Sequence, residues 1–448
     1  MSEFEGKKVL VIGLARAGTG MARALSVAGA VVTAVDQKSA DSPSLFGPID
    51  ELSGLGVDIV TSWPGTIEDY DVDFIAPSPG VPAKHPALVT ALHKGLPILS
   101  EIEIAYRLTD APVVAITGTN GKSTVTALTH HLLVSSGKRS VLCGNIAGSG
   151  FEEKTITSAA SQSNANDILV AEVSSFQLEW IDRFRPRAAT ITNITPDHLD
   201  RYASFEEYSA TKKRIFANMS GSDLVVVNRA RPETFPPSDC AAEIAAIGEE
   251  AIVESLGVRF GDTFVEMKDL WVPAEHSLFN LAHAVLLVRK FGLAPADVLP
   301  YVDSFKGLEN RLEFIGEKDG IRIVNNSMCT NPSAVLSSLD GVSGRVLLMA
   351  GGVSKVDDLS PLAEVGSRVG HAFLFGRDGR KLEAAFSSGD ASTSVFNSLD
   401  DAFAEAVRAA RSGDTILLSP GCASFDQFDD FIDRGNHFRR LAREWIGS

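Results

Sequence analysis

The chain has 448 residues, 44% hydrophobic and 22% charged, with a formal net charge of −16. That length suggests two to four domains at roughly 100–200 residues each, and the composition suits several apolar cores. So acidic a chain repels a phosphate backbone, which argues against a nucleic-acid partner, while a small anion remains possible where dipoles and a few cations face it.

In chain order, the first element is a short apolar run at residues 9–13, followed by a helical stretch from Thr19 to Gly29. The turn Gly13-Leu-Ala-Arg-Ala-Gly18 is like a dinucleotide fingerprint but has Ala15 where a second glycine would let a pyrophosphate approach. Asp36 follows the strand-like residues 31–35, the place of a ribose-binding acid. A nicotinamide site, a modified nucleotide site and a plain strand-to-helix turn all remain open here. Residues 76–98 are dense in proline and glycine, so the first domain boundary is placed near residue 100.

Residues 113–124, Val-Val-Ala-Ile-Thr-Gly-Thr-Asn-Gly-Lys-Ser-Thr, carry the strongest local signal. A buried strand runs into a glycine turn and a helix starts at once, with unpaired N–H groups and a positive dipole end facing outward. Gly118 and Gly121 allow an anion close, with Thr119 and Asn120 between them. Lys122 can reach terminal phosphates, and Ser123 or Thr124 can offer a hydroxyl to Mg²⁺. Ile116 stands where the longer phosphate-loop pattern has its first glycine, so this is a shorter variant.

Residues 168–177 read as a strand ending at Glu172, Ser174, Ser175 and Gln177, and residues 189–202 as a second strand ending at Asp197-His198-Leu-Asp200. Sites in open α/β sheets lie outside the carboxyl ends of strands, so Glu172 and His198 are expected near the Lys122 loop. Glu172 suits a hard Mg²⁺ ion. A lone histidine is more often structural, but its place after a strand favours function. The amphipathic stretch 205–219 makes Lys212, beside Lys213 and Arg214, part of a solvated basic face. Residues 228–275 look irregular and peripheral. A helix at 278–291 precedes a second boundary near Gly307, then a strand-like run at 312–323 and a third glycine-ended strand at 346–352. Strands alternating with helices predict parallel sheets, in domains 1–100, 101–307 and 308–448. Cys143, Cys240, Cys329 and Cys422 are scattered, which disfavours structural zinc or a disulfide framework and fits a reducing, cytoplasmic setting. No secretion-type apolar core and no run of about 18 apolar residues is seen, so no membrane insertion is expected.

Taken in order, Gly118-Thr-Asn-Gly-Lys-Ser-Thr124, Gly144-Asn145-Ile, Glu172-Val-Ser-Ser-Phe-Gln-Leu-Glu179, Asp197-His-Leu-Asp-Arg-Tyr202, Gly351-Gly-Val-Ser-Lys355 and Leu418-Ser-Pro-Gly-Cys-Ala-Ser-Phe-Asp-Gln-Phe428 resemble the Mur ligases of bacterial peptidoglycan synthesis, most closely the glutamate-adding branch. The resemblance spans the whole chain. It implies an α/β fold of three domains: a Rossmann-like N-terminal domain for a UDP-sugar substrate, a central P-loop NTPase-like parallel sheet for ATP, and a Rossmann-like C-terminal domain for the amino acid. It implies ATP and Mg²⁺ as cofactors, UDP-N-acetylmuramoyl-L-alanine and glutamate as substrates, and a monomer. The terminal carboxylate would be phosphorylated by ATP and the resulting acyl phosphate attacked by the glutamate amine. Lys122, His198 and Lys212 would be catalytic, with Lys212 carbamylated. Ser123, Glu172 and His198 would hold metal. Asn280 and Arg311 would join the 118–124 loop around ATP. Asp36, Ser78, Gly80 and Asn145 would contact the UDP-substrate, and Thr330, Lys355, Ser424 and Phe431 the D-glutamate.

The chain departs from the family pattern in a cluster. Ser277 and Asn326 replace an asparagine and an acid, and Asn310 and Met328 replace a histidine and a lysine. These positions are expected around the nucleoside and its phosphates, and Arg16, Gln37 and Lys38 differ on the uracil side. Loss of a lysine clamp costs a few kcal/mol, on the order of one electrostatic contact, so altered nucleotide preference or weaker ATP binding is expected. A non-catalytic relative, an L-glutamate-adding relative and a nicotinamide oxidoreductase are the competing readings.

Overall fold

Each of the three glycine-punctuated segments folds around its own parallel sheet. The structure is a computed structural model, and it describes residues 2–198, 201–270, 272, 274–356, 358–387 and 391–448; Asp200 lies outside the described residues. The N-terminal strands are β1 (Lys8–Ile12), β2 (Val31–Val35), β3 (Asp58–Val60) and β4 (Phe74–Pro77), in the order β3-β2-β1-β4, all parallel. The helix after β1 spans Arg16–Val27 and starts directly behind the glycine turn.

The central sheet contains β5 (Val113–Thr117), β6 (Ser140–Gly144), β7 (Ile168–Glu172), β8 (Ala188–Ile191), β9 (Leu224–Asn228) and β10 (Glu243–Ile247), in the order β10-β9-β8-β5-β7-β6. β5 and β7 are buried along their whole length, as strands covered on both faces must be, which is why they read as unbroken apolar runs. Helices Lys122–Ser135 and Glu275–Val288 pack together on one face around Val125, Leu128, Leu281 and Val285. The other face is covered by Ile102, Phe184, Tyr208 and Phe216.

The region 228–275 is more regular than its prolines suggest. Strand β10 completes the central sheet, and β11 (Ile252–Glu254), β12 (Gly257–Phe260) and β13 (Thr263–Glu266) form a small antiparallel sheet. Val258 and Phe260 bury against the same core as helix Glu275–Val288.

The C-terminal strands are β14 (Glu313–Lys318), β15 (Ile321–Asn325), β16 (Arg345–Gly351), β17 (His371–Phe375), β18 (Thr393–Phe396) and β19 (Asp414–Leu418), in the order β14-β15-β19-β16-β17-β18. All neighbours are parallel except the β14–β15 hairpin. The run read as one strand at 312–323 is therefore two strands. They turn at Asp319 (φ 52°) and Gly320 (φ 75°), the left-handed pair that a tight hairpin requires. No single described helix is long and apolar enough to cross a membrane.

Candidate active site

The site is built from the carboxyl end of β5. Gly118 follows with φ +147°, and a Cβ there would lie 2.0 Å from Thr192 Oγ1, so only glycine fits. Gly121, in the left-handed region at φ +81°, precedes helix Lys122–Ser135 without a side-chain cap. Among the described residues, the N–H groups of Gly121, Lys122, Ser123 and Thr124 have no hydrogen-bond partner. The loop is braced elsewhere: Thr119 N–H donates to Asn193 O and Asn120 N–H to Asn193 Oδ1, each at 2.9 Å. What remains is a bare helix N-terminus, the usual seat for phosphate. Asn280 stands over it, its Oδ1 2.7 Å from where a Gly121 Cβ would be.

Glu172 ends β7 beside this loop and is 3% exposed. Ser123 Oγ donates to one of its oxygens through a short hydrogen bond, and Asn145 Nδ2 donates to the other at 3.0 Å. Lys122 Nζ folds back onto Thr119 O at 2.9 Å. Burial pulls its pKa down, opposed by the nearby Glu172. Burial likewise lowers that of Arg311, again opposed by Glu172. Two cations thus face one carboxylate at the mouth of the loop.

Lys212 does not lie on a solvated face. It is 2% exposed, donates to Gly118 O at 2.9 Å and stands 4.7 Å from the Tyr208 ring centroid. Burial, reinforced by Lys122, brings its pKa down to about 7. The basic-face reading fails because Lys212 turns inward near the end of the short helix Phe205–Lys213, while Lys213 and the C-cap residue Arg214 stay partly exposed. His198, at φ 54°, packs edge-on to Phe176 at 4.9 Å, and its Nε2 is 3.6 Å from Asp197. Glu172 ends β7 next to β5, and His198 lies in the segment after β8, the other neighbour of β5, with the Tyr208 ring 6.2 Å away.

A cavity of about 520 Å³ extends from Asn120, Gly121 and Thr124 past Asn280 to Arg311, Met328 and Thr330 of the C-terminal domain. Asn326 also lines it, but its amide is turned into the protein, with Oδ1 accepting from Leu312 N–H and Nδ2 donating to Ser419 Oγ. Ser277 and Asn310 are fully buried, behind the cavity wall rather than facing a nucleoside. Asn310 braces the end of β15: its Oδ1 accepts from Asn325 Nδ2 at 2.9 Å where Gly435 leaves room.

On the C-terminal side, Thr330, Lys355 and Ser424 follow β15, β16 and β19, so they share one sheet edge. Lys355 Nζ reaches Thr330 Oγ1 at 3.3 Å, and Ser424 is buried. Phe431 opens helix Phe431–Gly447, and its carbonyl accepts from Ser327 Oγ at 2.8 Å. Arg434, not singled out in the sequence, is fully buried one turn later. Its guanidinium donates to Ser327, Gly351 and Cys422, tying the ends of those three strands together. An arginine on an amphipathic helix carries no sequence signal for that role.

On the N-terminal side, both Asp36 oxygens accept backbone N–H groups, from Leu14 at 2.8 Å and Lys38 at 2.9 Å. Asp36 therefore shapes the glycine turn. Ser78 is buried against Gly13, whereas Gly80 faces open space. Arg16, expected on the uracil side, instead reaches the central domain and donates to Ile146 O at 2.9 Å. Oxygen donors with room for waters suit Mg²⁺. The touching pair Ser123 and Glu172 fits that need, and among the described residues no group of three or more His, Cys, Asp or Glu forms a cage.

Comparison with known proteins gives the same pattern. Residues 116–251 match the Mur ligase middle domain and residues 310–422 the Mur ligase glutamate ligase domain. The chain is 35% identical over 458 residues to a UDP-N-acetylmuramoylalanine–D-glutamate ligase of Pelotomaculum thermopropionicum, with 98% of each chain covered. It is 39% identical to the protein of that name from Myxococcus xanthus, again with 98% of each covered. A solved UDP-N-acetylmuramate–alanine ligase from Thermotoga maritima shares the fold, with TM-score 0.59 at 18% identity and coverage of 98% of this chain and 99% of that one.

Proposed function

The chain belongs to the Mur ligase family, and on that premise we propose that it joins D-glutamate to UDP-N-acetylmuramoyl-L-alanine, using ATP, in cytoplasmic peptidoglycan precursor synthesis. The observation that carries this reading is the convergence of the bare Gly121–Thr124 N–H groups, Lys122 and the Ser123–Glu172–Asn145 contacts at one strand end.

The substrate carboxylate attacks the γ-phosphate and ADP departs, leaving an acyl phosphate, and negative charge accumulates on the transferring group. Lys122, Arg311 and the helix N-terminus are cationic groups placed to stabilise it. Asn145 links Glu172 to the loop that faces the first domain, which suits it to position the UDP-substrate. Mg²⁺, when bound, would offset phosphate charge, and Ser123 and Glu172 are the donors that fit it. His198 is an additional candidate at the same mouth. The depressed pKa of Lys212, about 7, leaves a large neutral fraction, which carbamylation requires. The glutamate amine then attacks the acyl carbonyl and expels inorganic phosphate, with the Thr330–Lys355 pair and Ser424 suited to hold glutamate's carboxylates. The C-terminal domain excludes the water that would hydrolyse the intermediate. Domain limits at residues 100 and 307 suit these roles, and one protomer carries every part of the site.

The test is phosphate release with UDP-N-acetylmuramoyl-L-alanine and ATP, in parallel with D- and L-glutamate. Release with D-glutamate, lowered about 100- to 1000-fold in Lys122→Ala, is expected. Release with L-glutamate alone would replace the stereochemical assignment, and release unaffected by Lys122→Ala would move the chemistry elsewhere.

A further inference from the structure

One wall of the central cavity holds a histidine whose tautomer is fixed by the sheet behind it. His283 lies on helix Glu275–Val288, is 1% exposed, and lines the same cavity as Gly121 and Asn280. Its Nδ1 is 2.9 Å from Thr190 Oγ1, and that hydroxyl is 2.8 Å from Val226 O. A carbonyl can only accept, so Thr190 gives its single proton to Val226. The Thr190 oxygen is then left to accept, and Nδ1 must carry the ring proton. Nε2 is consequently a bare lone pair, and among the described residues it has no hydrogen-bond partner. Burial, with Arg231 nearby, lowers the histidine pKa to about 3, so the ring stays neutral at any physiological pH.

A buried acceptor without a donor is costly, and the cavity is where a donor can arrive. Asn280 and His283, about one helical turn apart, line one wall of the cavity that opens at the phosphate loop, so phosphates held at Gly121–Thr124 would leave this wall to the nucleoside. We propose that His283 Nε2 accepts a hydrogen bond from the exocyclic amino group of a 6-aminopurine, so that His283 selects ATP over 6-oxopurine nucleotides. This rests on the nucleotide reading of the cavity given above. A 6-oxo group would set one acceptor against another. Arg231 also lines the cavity, but its guanidinium is half-exposed and turned toward Glu233, 3.9 Å away. Ribose hydroxyls are common to all the nucleotides and would give no choice between bases.

The test is calorimetric binding of ATP, ITP and purine riboside triphosphate, which lacks the 6-substituent, to the full-length protein. Wild type should bind ATP about 10- to 100-fold more tightly than ITP, with the unsubstituted purine between them. His283→Leu removes the acceptor, and Thr190→Val releases the tautomer with almost no change of shape. Both should bring the three affinities together. Wild type binding all three alike, or folded variants keeping the ATP preference, overturns the proposal. Should His283→Leu fail to fold, the wild-type ligand series and Thr190→Val decide. ATP binding without base discrimination removes this proposal alone, whereas no nucleotide binding at all removes the nucleotide reading with it.

Discussion

At the scale of the residue, Lys212 shows how burial becomes chemistry. Its ammonium donates to Gly118 O and, at 3.5 Å, to Thr117 Oγ1, beside the Tyr208 ring; burial, reinforced by Lys122, outweighs these contacts and the pull of Asp197 and Glu172, and its pKa falls from 10.5 to about 7. The unfolded chain holds that proton up to about 10.5, while the folded chain releases it near 7. Between those values the unfolded state binds more protons, so stability rises with pH through the window. Below about 7 both states are protonated and the full penalty applies. Lys212→Met should therefore raise unfolding free energy by a few kcal/mol at pH 6.5, and the gain should shrink toward pH 9.5. Urea unfolding in bicarbonate-free buffer checks this, and parallel pH profiles for the two proteins would refute it. Periodicity alone hid this lysine, because a helix bearing Lys212, Lys213 and Arg214 in a row looks solvated. Only the family resemblance singled it out. His283 was hidden for the complementary reason: a histidine inside an apolar helix reads as core. Lys122 and Glu172 were legible because a glycine turn and a strand end announce backbone geometry, not merely side-chain type.

At the scale of the element, the turn after β5 leaves no room for a side chain at Gly118. A Cβ on Gly118 would meet Thr192 Oγ1 at 2.0 Å and the backbone N of Thr192 at 3.1 Å. The short threonine side chain is rooted at the end of β8 and cannot swing clear. Gly118→Ala should cost about 1–3 kcal/mol of stability through strain. It should also weaken ATP binding, because the loop that aims the N–H groups would shift. Denaturation and nucleotide titration on the same preparation measure both, and an unchanged ATP affinity would sink the idea. The same chemistry explains which elements were readable. Strands ending in Gly118 and Gly351 were found because glycine marks them. The β14–β15 hairpin is hidden because residues 312–323 read as one strand-like run, although Asp319-Gly320 in its middle is a turn signal. Strands β10–β13 were missed because prolines at 232, 236 and 237 suggested irregularity, while the apolar residues that bury them are few.

At the scale of the whole molecule, residues 145–150 are where the three domains meet. Arg16 of the first domain donates to Ile146 O, Glu309 N–H donates to Ser149 O at 3.0 Å, and Phe431 and Ile432 press on Gly148. Glu153 fixes the loop from within by accepting the N–H groups of Gly148 and Ser149. The loop begins at Asn145, which holds Glu172, so its shape is coupled directly to the reacting centre. Gly148 has φ +65°, and a Cβ there would lie 2.8 Å from Ile432 Cγ1. Gly148→Ala should therefore push the C-terminal domain away from the phosphate loop. Because a misplacement of about 1 Å can cost roughly 100-fold, a rate loss of about tenfold or more is expected, with a raised KM for glutamate. Affinity for the UDP-substrate should hold, since Arg16 grips the opposite side of the loop. Trimming the obstacle in the double variant Gly148→Ala/Ile432→Ala should restore part of the rate. Recovery would locate the defect in domain placement; a double variant as slow as the single one would locate it in the loop itself and break the proposed link between domain approach and catalysis.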